Sequence, residues 1–363
     1  AESRGLGDVY KRQTINSINK RGIILIFIKG FIFIKLQFII KFLYLVELKI
    51  FILNRRNFSS LLSSSLLGLA SLDAIKTNNF NAKKYKISLA QWSINGSISR
   101  GKISPVDFAI KARELEIDAI EHVNTLYSDR SDYLSKNSMK TLVKDLNSRA
   151  NDNGVKNLLI MISQEGELAS GTQNSRTKAI DNHKAWIDVA NEIGCESVRV
   201  DLRGGNSFDQ WKENSILSLN TLCEYSPNLN ITVENHGGFS SNGKYLADVM
   251  KSITKQNCGT LPDFGNFCIN GKPNPTGLEP CFEWYDRYEG INDLMPFAKA
   301  LSAKSYDFLD NGDEKYIDYY KMMKIVNNHP YEGYIGIEYE GNRLSEDEGI
   351  IATKKLLEKI INS

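Results

Sequence analysis

Histidine is scarce in this chain of 363 residues: four occur, His122, His183, His236 and His329, too few for a His-rich multinuclear metal site. The five cysteines form no CxxC pair, which excludes a zinc ribbon and a thioredoxin-type redox motif. Neither GxGxxG nor GxxxxGK[ST] occurs, and with them goes the main sequence argument for a doubly wound nucleotide-binding sheet. An evenly basic surface is lacking as well. The net charge of +2 hides an asymmetry, because residues 1–83 carry 13 of the 45 Lys and Arg but only 4 of the 43 Asp and Glu. From Lys84 onward 32 basic residues therefore face 39 acidic ones, an acidic body that argues against nucleic-acid binding. Hydrophobic residues at 42% and charged residues at 24% exclude wholesale disorder and a polytopic membrane protein.

No methionine precedes Met139, so the first residues read as something other than a native start. Ala1 to Gln13 (AESRGLGDVYKRQ) has the look of translated adapter sequence, and residues 1–53 as a whole are set aside from fold reasoning. Within them, Lys29, Lys35, Lys41 and Lys49 interrupt the apolar run 23–53, whereas a spanning helix needs about 20 apolar residues. Residues 54–83 read differently. Arg55-Arg56 followed by an apolar, Ser-rich stretch and the small residues Ala70, Ser71 and Ala74 has the parts of a twin-arginine export signal and linker. The expectation is an exported, periplasmic protein, with a cytoplasmic one as the alternative, and no membrane span in the mature domain. Deleting residues 1–83 should leave a folded, soluble protein with cooperative thermal unfolding; a non-cooperative melt would contradict this boundary.

From residue 84 to 363, short β-branched or aliphatic runs recur at 86–93, 118–124, 157–163, 196–202, 230–235, 257–262, 299–305 and 333–339. Segments with helical spacing lie between them, such as Val106 to Leu115 and Thr177 to Ile193. Apolar strands alternating with amphipathic helices predict a parallel sheet covered by helices, and eight such units in about 280 residues predict a single-domain α/β fold, the (β/α)8 TIM barrel. In that fold the chemistry sits at the C-terminal strand ends. Gln91, Ser93, Glu121, His122, Glu165, Arg199, Asp201, Lys304 and Glu340 fall there, as do Glu234 with Asn235 and His236, Asp263 with Asn266, and Glu338.

Glu234, Asp263 and Glu338 each follow or end an apolar strand, which places three carboxylates around one axis. Unpaired, they repel; a bound divalent cation relieves this, and so does pairing with Arg or Lys. His236 reads as a ligand, a substrate contact or a hydrogen-bonded loop histidine, and His183 and His329 read as structural. Trp92, Phe239, Trp284 and Tyr285 are candidates to stack on sugar rings. Cys268 to Asp286 reads as an insertion after the sixth strand, its two cysteines either bridged over the mouth or free.

The ordered set LAQWS, IEHVN, VENHGG, GTLPDFGNF, MPFAKALSAKSYDF and GYIGIEYEG, spanning about residues 85–360, resembles the sugar phosphate isomerase/epimerase group of the xylose isomerase-like TIM-barrel superfamily. The resemblance implies an isomerase or epimerase that moves a proton between adjacent carbons of a small-molecule carbohydrate, using a divalent metal ion (Mn, Mg, Zn or Co). Matched by position, Glu234, Asp263 and Glu338 are the metal carboxylates, with His236 a further ligand candidate. Glu234, Glu338 and Lys304 are then the catalytic candidates, and Glu121, Arg199, Asn266, His236 and Trp92 the substrate-binding ones. Two positions depart from the pattern: Asn266 and Ser302 stand where histidines are usual, leaving the fourth ligand to His236, Asn266 or water, or the cation's charge to Lys304. Export favours a free or oxidised sugar, or a glycoside fragment, over a phosphorylated one. A lyase or hydratase on an oxidised sugar and a catalytically silent sugar-binding barrel are the alternatives, and a homo-oligomer is left open.

Overall fold

The computed structural model describes residues 85–127, 134–275 and 280–363, so the readings of residues 1–83 lie outside the described residues. Ten strands are described: β1 (Tyr85–Ala90), β2 (Ala119–Val123), β3 (Lys156–Ile162), β4 (Ser197–Val200), β5 (Asn230–Glu234), β6 (Cys258–Leu261), β7 (Cys268–Gly271), β8 (Cys281–Trp284), β9 (Leu301–Ser305) and β10 (Gly333–Tyr339). Eight of them form one parallel sheet in the order β6-β5-β4-β3-β2-β1-β10-β9. Parallel bridges Thr260 to Ala298 and Asp263 to Ser302 bring the two edges of that sheet together, which completes a (β/α)8 barrel. The remaining two strands, β7 and β8, pair antiparallel as a separate hairpin.

Helices follow the barrel strands because the sequence supplies both the apolar stripes and the stops. After β2 the helix Lys136–Asn153 starts at Ser135, whose side chain accepts from the Ser138 amide, and stops at Gly154 in the left-handed region. The last helix, Glu346–Ile361, opens with a capping box between Ser345 and Glu348 and carries acidic residues in its first turn and Lys359 in its last. Strand β3, KNLLIMI, is buried from its second residue to its last, as expected of a strand covered on both faces.

Two apolar layers result. The larger packs the outward side chains of the barrel, among them Val198, Ile231 and Ile337, against helix residues such as Trp186, Trp211 and Leu357. The smaller fills the barrel interior with Ala90, Ala119, Leu159, Met161 and Leu261. Side chains alternate along each strand, so the inward series runs 119, 121, 123 on β2, 197, 199 on β4, 302, 304 on β9 and 336, 338 on β10, with Asp201 and Glu340 just past the ends of β4 and β10. On β4, β9 and β10 its lower members are small and its upper members charged, and these converge at one end of the barrel; on β2 the charged member, Glu121, lies below Val123.

Candidate active site at the barrel mouth

Register delivers the functional side chains. Lys304 lies beside Glu338 in the β9–β10 ladder and Ser302 beside Gly336, while the β6 extension sets Asp263 beside Ser302. Carboxylate oxygens of Glu234, Asp263 and Glu338 fall within 4.8 Å of one another, all three residues buried. Ser302 Oγ bridges two of them, 2.6 Å from Asp263 Oδ2 and 2.8 Å from Glu338 Oε2. The other Asp263 oxygen accepts from the Gly265 and Asn266 amides at 2.8 and 2.7 Å, and Asn266 Nδ2 donates to Glu234 Oε1 at 2.9 Å.

Two buried cations flank this cluster. Lys304 Nζ is 3.0 Å from Glu338 Oε1, 2.8 Å from Glu340 Oε1 and 3.8 Å from Asp263 Oδ2. Its stem passes Gly265, where a Cβ would stand 2.6 Å from Lys304 Cγ. Arg199 Nε is 2.6 Å from Glu234 Oε2, yet out of line for a hydrogen bond, so both atoms are buried without a hydrogen-bond partner. Arg199 Nη1 donates to Asp201 Oδ1 at 2.8 Å. The same Asp201 oxygen lies 3.0 Å from His236 Nδ1, and Arg203 Nη2 stands 3.2 Å from that nitrogen. Two buried cations thus face five buried carboxyl groups, those of Glu121, Asp201, Glu234, Asp263 and Glu338.

Environment separates the carboxyls. Burial raises the Glu338 carboxyl, but the charge of Lys304 and the hydrogen bonds from Ser302 and Lys304 outweigh it and hold the group below its ordinary value. Burial pushes Glu234 up and the Glu338 charge adds to it, against Arg199 and His236. Asp263 is pushed up to about 7, chiefly by burial. Asp201 is driven far down, because Arg199 and His236 overcome the effect of burial.

A cavity of about 850 Å³ opens over this cluster, its floor including Arg199, Asp201, Asn266 and Glu338 and its wall Trp92, Met161 and His236. Among the sequence-predicted residues, Trp92, Arg199, Asp201, His236, Asn266, Glu338 and Glu340 therefore border the cavity, while Glu234, Asp263 and Lys304 do not line it. Glu121 borders neither the cavity nor the triad's hydrogen bonds: it accepts from Ser88 Oγ at 2.6 Å and packs against Gly336, where a Cβ would stand 2.5 Å from its Oε1. Of the four stacking candidates Trp92 alone lines the cavity. Phe239 packs with Phe208, Trp211 and Tyr245, Tyr285 lies against Phe267 and donates to Asp293, and Trp284 is on the hairpin's outer face. His122 is taken up by Tyr127 and Asn157, Glu165 by Trp186 and Asn124, and His183 by the Ala179 carbonyl. The insertion after β6 is the β7–β8 hairpin, with Cys268 and Cys281 bridged, and it brings Lys272, Pro273 and Asn274 to the cavity wall. Arg203 and these hairpin residues were absent from the expected set: Arg203 lies past the end of β4, where strand alternation no longer fixes a face.

A family model for the xylose isomerase-like TIM barrel matches residues 110–360. The chain belongs to this family. No protein of curated function matches it. Solved structures similar to this xylose isomerase-like barrel include the 3-keto-D-glucoside 4-epimerase from E. coli in its apo form, at 9% identity and a TM-score of 0.56 over 76% of this chain and 99% of that one. Another is a D-psicose 3-epimerase in the presence of D-fructose, at 12% identity and a TM-score of 0.54 over 77% and 99%. A third is the probable 3-DHS dehydratase of petrobactin synthesis from Bacillus anthracis, at 14% identity and a TM-score of 0.53 over 75% and 98%. Identities this low establish the fold they share with this chain. Among the described residues of this family member, no helix is long and apolar enough to cross a membrane.

Glu121 gives a pH test independent of catalysis. Burial pushes its carboxyl from 4.5 up to about 7, and its Oε2 has no hydrogen-bond partner. Between those values the folded protein holds a proton that the unfolded chain has released, so this contribution is present in full below 4.5 and is lost as pH rises through 7. The shift corresponds to roughly 3 kcal/mol. Glu121→Gln should therefore unfold at a higher temperature than wild type at pH 8 and at nearly the same temperature at pH 4.5; melting curves displaced equally at both pH values would contradict it.

Proposed function

We propose that this barrel is a sugar isomerase or epimerase that transfers a proton next to a carbonyl, with a divalent cation held by Glu234, Asp263 and Glu338. The observation that carries the reading is the set of three buried carboxylates with oxygens within 4.8 Å, beneath a cavity large enough for a sugar. The donor set fits a hard cation: it is all oxygen, buried carboxyl groups outnumber buried cations five to two, and Glu234 Oε2 lacks a hydrogen-bond partner. Its composition favours Mg²⁺ or Mn²⁺ over Zn²⁺, because no imbalance toward nitrogen or sulfur exists in the cluster. His236 is engaged by Asp201 through Nδ1 and is the nearest imidazole. When bound, the cation would draw electron density from the substrate carbonyl and lower the barrier to breaking the neighbouring C–H bond.

The chain's own groups supply the rest. Glu338 borders the cavity, is held anionic by Lys304 and Ser302, and takes the proton. Glu234, its carboxyl pushed the other way, is the partner that returns one; two carboxyls separated by their surroundings are the arrangement such chemistry needs. Lys304 offsets the charge that grows on the substrate oxygen, and Arg199 and Asn266 fix the sugar on the floor. A lyase reading is favoured by one feature, the His236–Asp201–Arg203 group on the cavity wall, which would protonate a departing hydroxyl. Product analysis by NMR separates the two: an epimer or positional isomer supports the isomerase, and an unsaturated product with loss of water contradicts it. Absence of both products, together with sugar binding, would make the barrel a silent binder.

A further inference from the structure

The cavity is larger than the reaction proposed for its floor requires. A hexose has twelve heavy atoms, and even at the ~30 Å³ that one water molecule takes in the liquid these fill less than about 360 Å³. More than half of the 850 Å³ remains. Burial divides the space. Arg199, Asn266 and Glu338 on the floor are 5%, 2% and 2% exposed, whereas Glu167, Arg203 and Lys272 at the rim are exposed. Trp92, half-buried, lines the same cavity with an indole.

The outer wall is also held in place. The hairpin that carries Lys272, Pro273 and Asn274 is cross-linked by the Cys268–Cys281 bridge. It is tied to the end of β10 by Asn274 Nδ2 donating to the Glu340 carbonyl at 3.2 Å, and its own base is closed by the Tyr285 amide donating to the Phe267 carbonyl at 2.9 Å. A wall fixed before binding spares the ligand the cost of ordering it. Sugar rings present apolar C–H faces and a rim of hydroxyls, and this wall pairs an indole with an ammonium and an amide.

Resting on the function proposed above, we infer that the outer half of the cavity is a subsite for a second sugar unit, so that the substrate class is a two-unit glycoside. The unit bearing the carbonyl lies on Arg199, Asn266 and Glu338. The second lies between Trp92 and the Lys272–Asn274 segment, with its ring against the indole and its hydroxyls on Lys272 and Asn274.

Calorimetric titration of the full chain with maltose, cellobiose, lactose, lactulose and maltulose, and with D-glucose, D-galactose and D-fructose, tests the subsite. At least one disaccharide is expected to bind tenfold or more tightly than either of its component sugars. In Trp92→Ala and Lys272→Ala that ratio should fall at least fivefold; Lys272 is exposed, so its variant remains informative if Trp92→Ala does not fold. Component sugars that bind as tightly as every disaccharide, no binding of any disaccharide, or an unchanged ratio in Lys272→Ala would overturn the inference. Deuterium uptake from D₂O distinguishes the two proposals. A disaccharide that binds without C–H exchange leaves the subsite standing and the proton-transfer reading wrong. Exchange on single sugars, with nothing gained by a second unit, does the reverse.

Discussion

Lys304→Met is expected to lose at least about a hundredfold in turnover and, at the same time, to bind Mn²⁺ more tightly than wild type. The two effects share one cause. The Lys304 ammonium is fully buried and stands 3.0 Å from Glu338 and 3.8 Å from Asp263, two of the three proposed cation ligands. At an effective dielectric of 20 a unit charge at that range interacts with each carboxylate by about 4 to 6 kcal/mol. Removing it lifts a competing positive charge from both carboxylates and deprives the growing substrate charge of a nearby cation. The same removal leaves Glu338 and Glu340 without their ammonium, and truncating one partner of a buried ion pair costs about 3 to 5 kcal/mol. Metal-free Lys304→Met should therefore melt well below wild type and recover more of its stability when Mn²⁺ is added. Near-normal rates with equal Mn²⁺ affinity would assign Lys304 a structural part only.

The second large effect concerns the carboxylates. Glu234→Gln, Asp263→Asn and Glu338→Gln each keep the shape of the side chain and remove one anionic oxygen donor, so each should weaken divalent-cation binding and lower turnover strongly. Glu338→Gln should lose the most, on the order of 10² to 10⁴ in rate, because it also removes the proposed proton acceptor at the cavity floor. Asp263→Asn differs from the other two in a further respect. Its carboxamide oxygen keeps the Gly265 and Asn266 amides, so its NH₂ takes the place of the oxygen that faces Ser302 and Lys304, which should cost stability as well as metal. Bound metal per chain that is unchanged in all three variants would remove the cation from the account.

Much of this was legible in the linear sequence, for a physical reason. A parallel barrel buries its strands on both faces, so each strand announces itself as an apolar run; GYIGIEY is read at 333–339 and is observed as Gly333–Tyr339. The alternation of side chains then decides which polar residues face inward, which is how Ser302 and Lys304 come to share the barrel interior. What alternation does not reveal is depth. Glu121 and Glu338 both face inward from strands, yet Glu121 is held below the mouth by Ser88 and the space over Gly336, while Glu338 reaches the cavity. Aromatic side chains at strand ends are equally ambiguous in sequence, since Phe239 and Tyr285 join helix-side packing and Trp92 the cavity wall. The β7–β8 hairpin, with its bridge and its contribution to the wall, depends on the return path of the chain after β6, which no periodicity encodes.

Proton exchange with solvent tests the central claim most directly. Wild-type protein incubated in D₂O with Mn²⁺ and a sugar that it converts should place deuterium on the carbon next to the carbonyl in the product and in recovered substrate, and Glu338→Gln should place none. Conversion by the wild type with every C–H hydrogen retained would contradict proton transfer by these carboxyls.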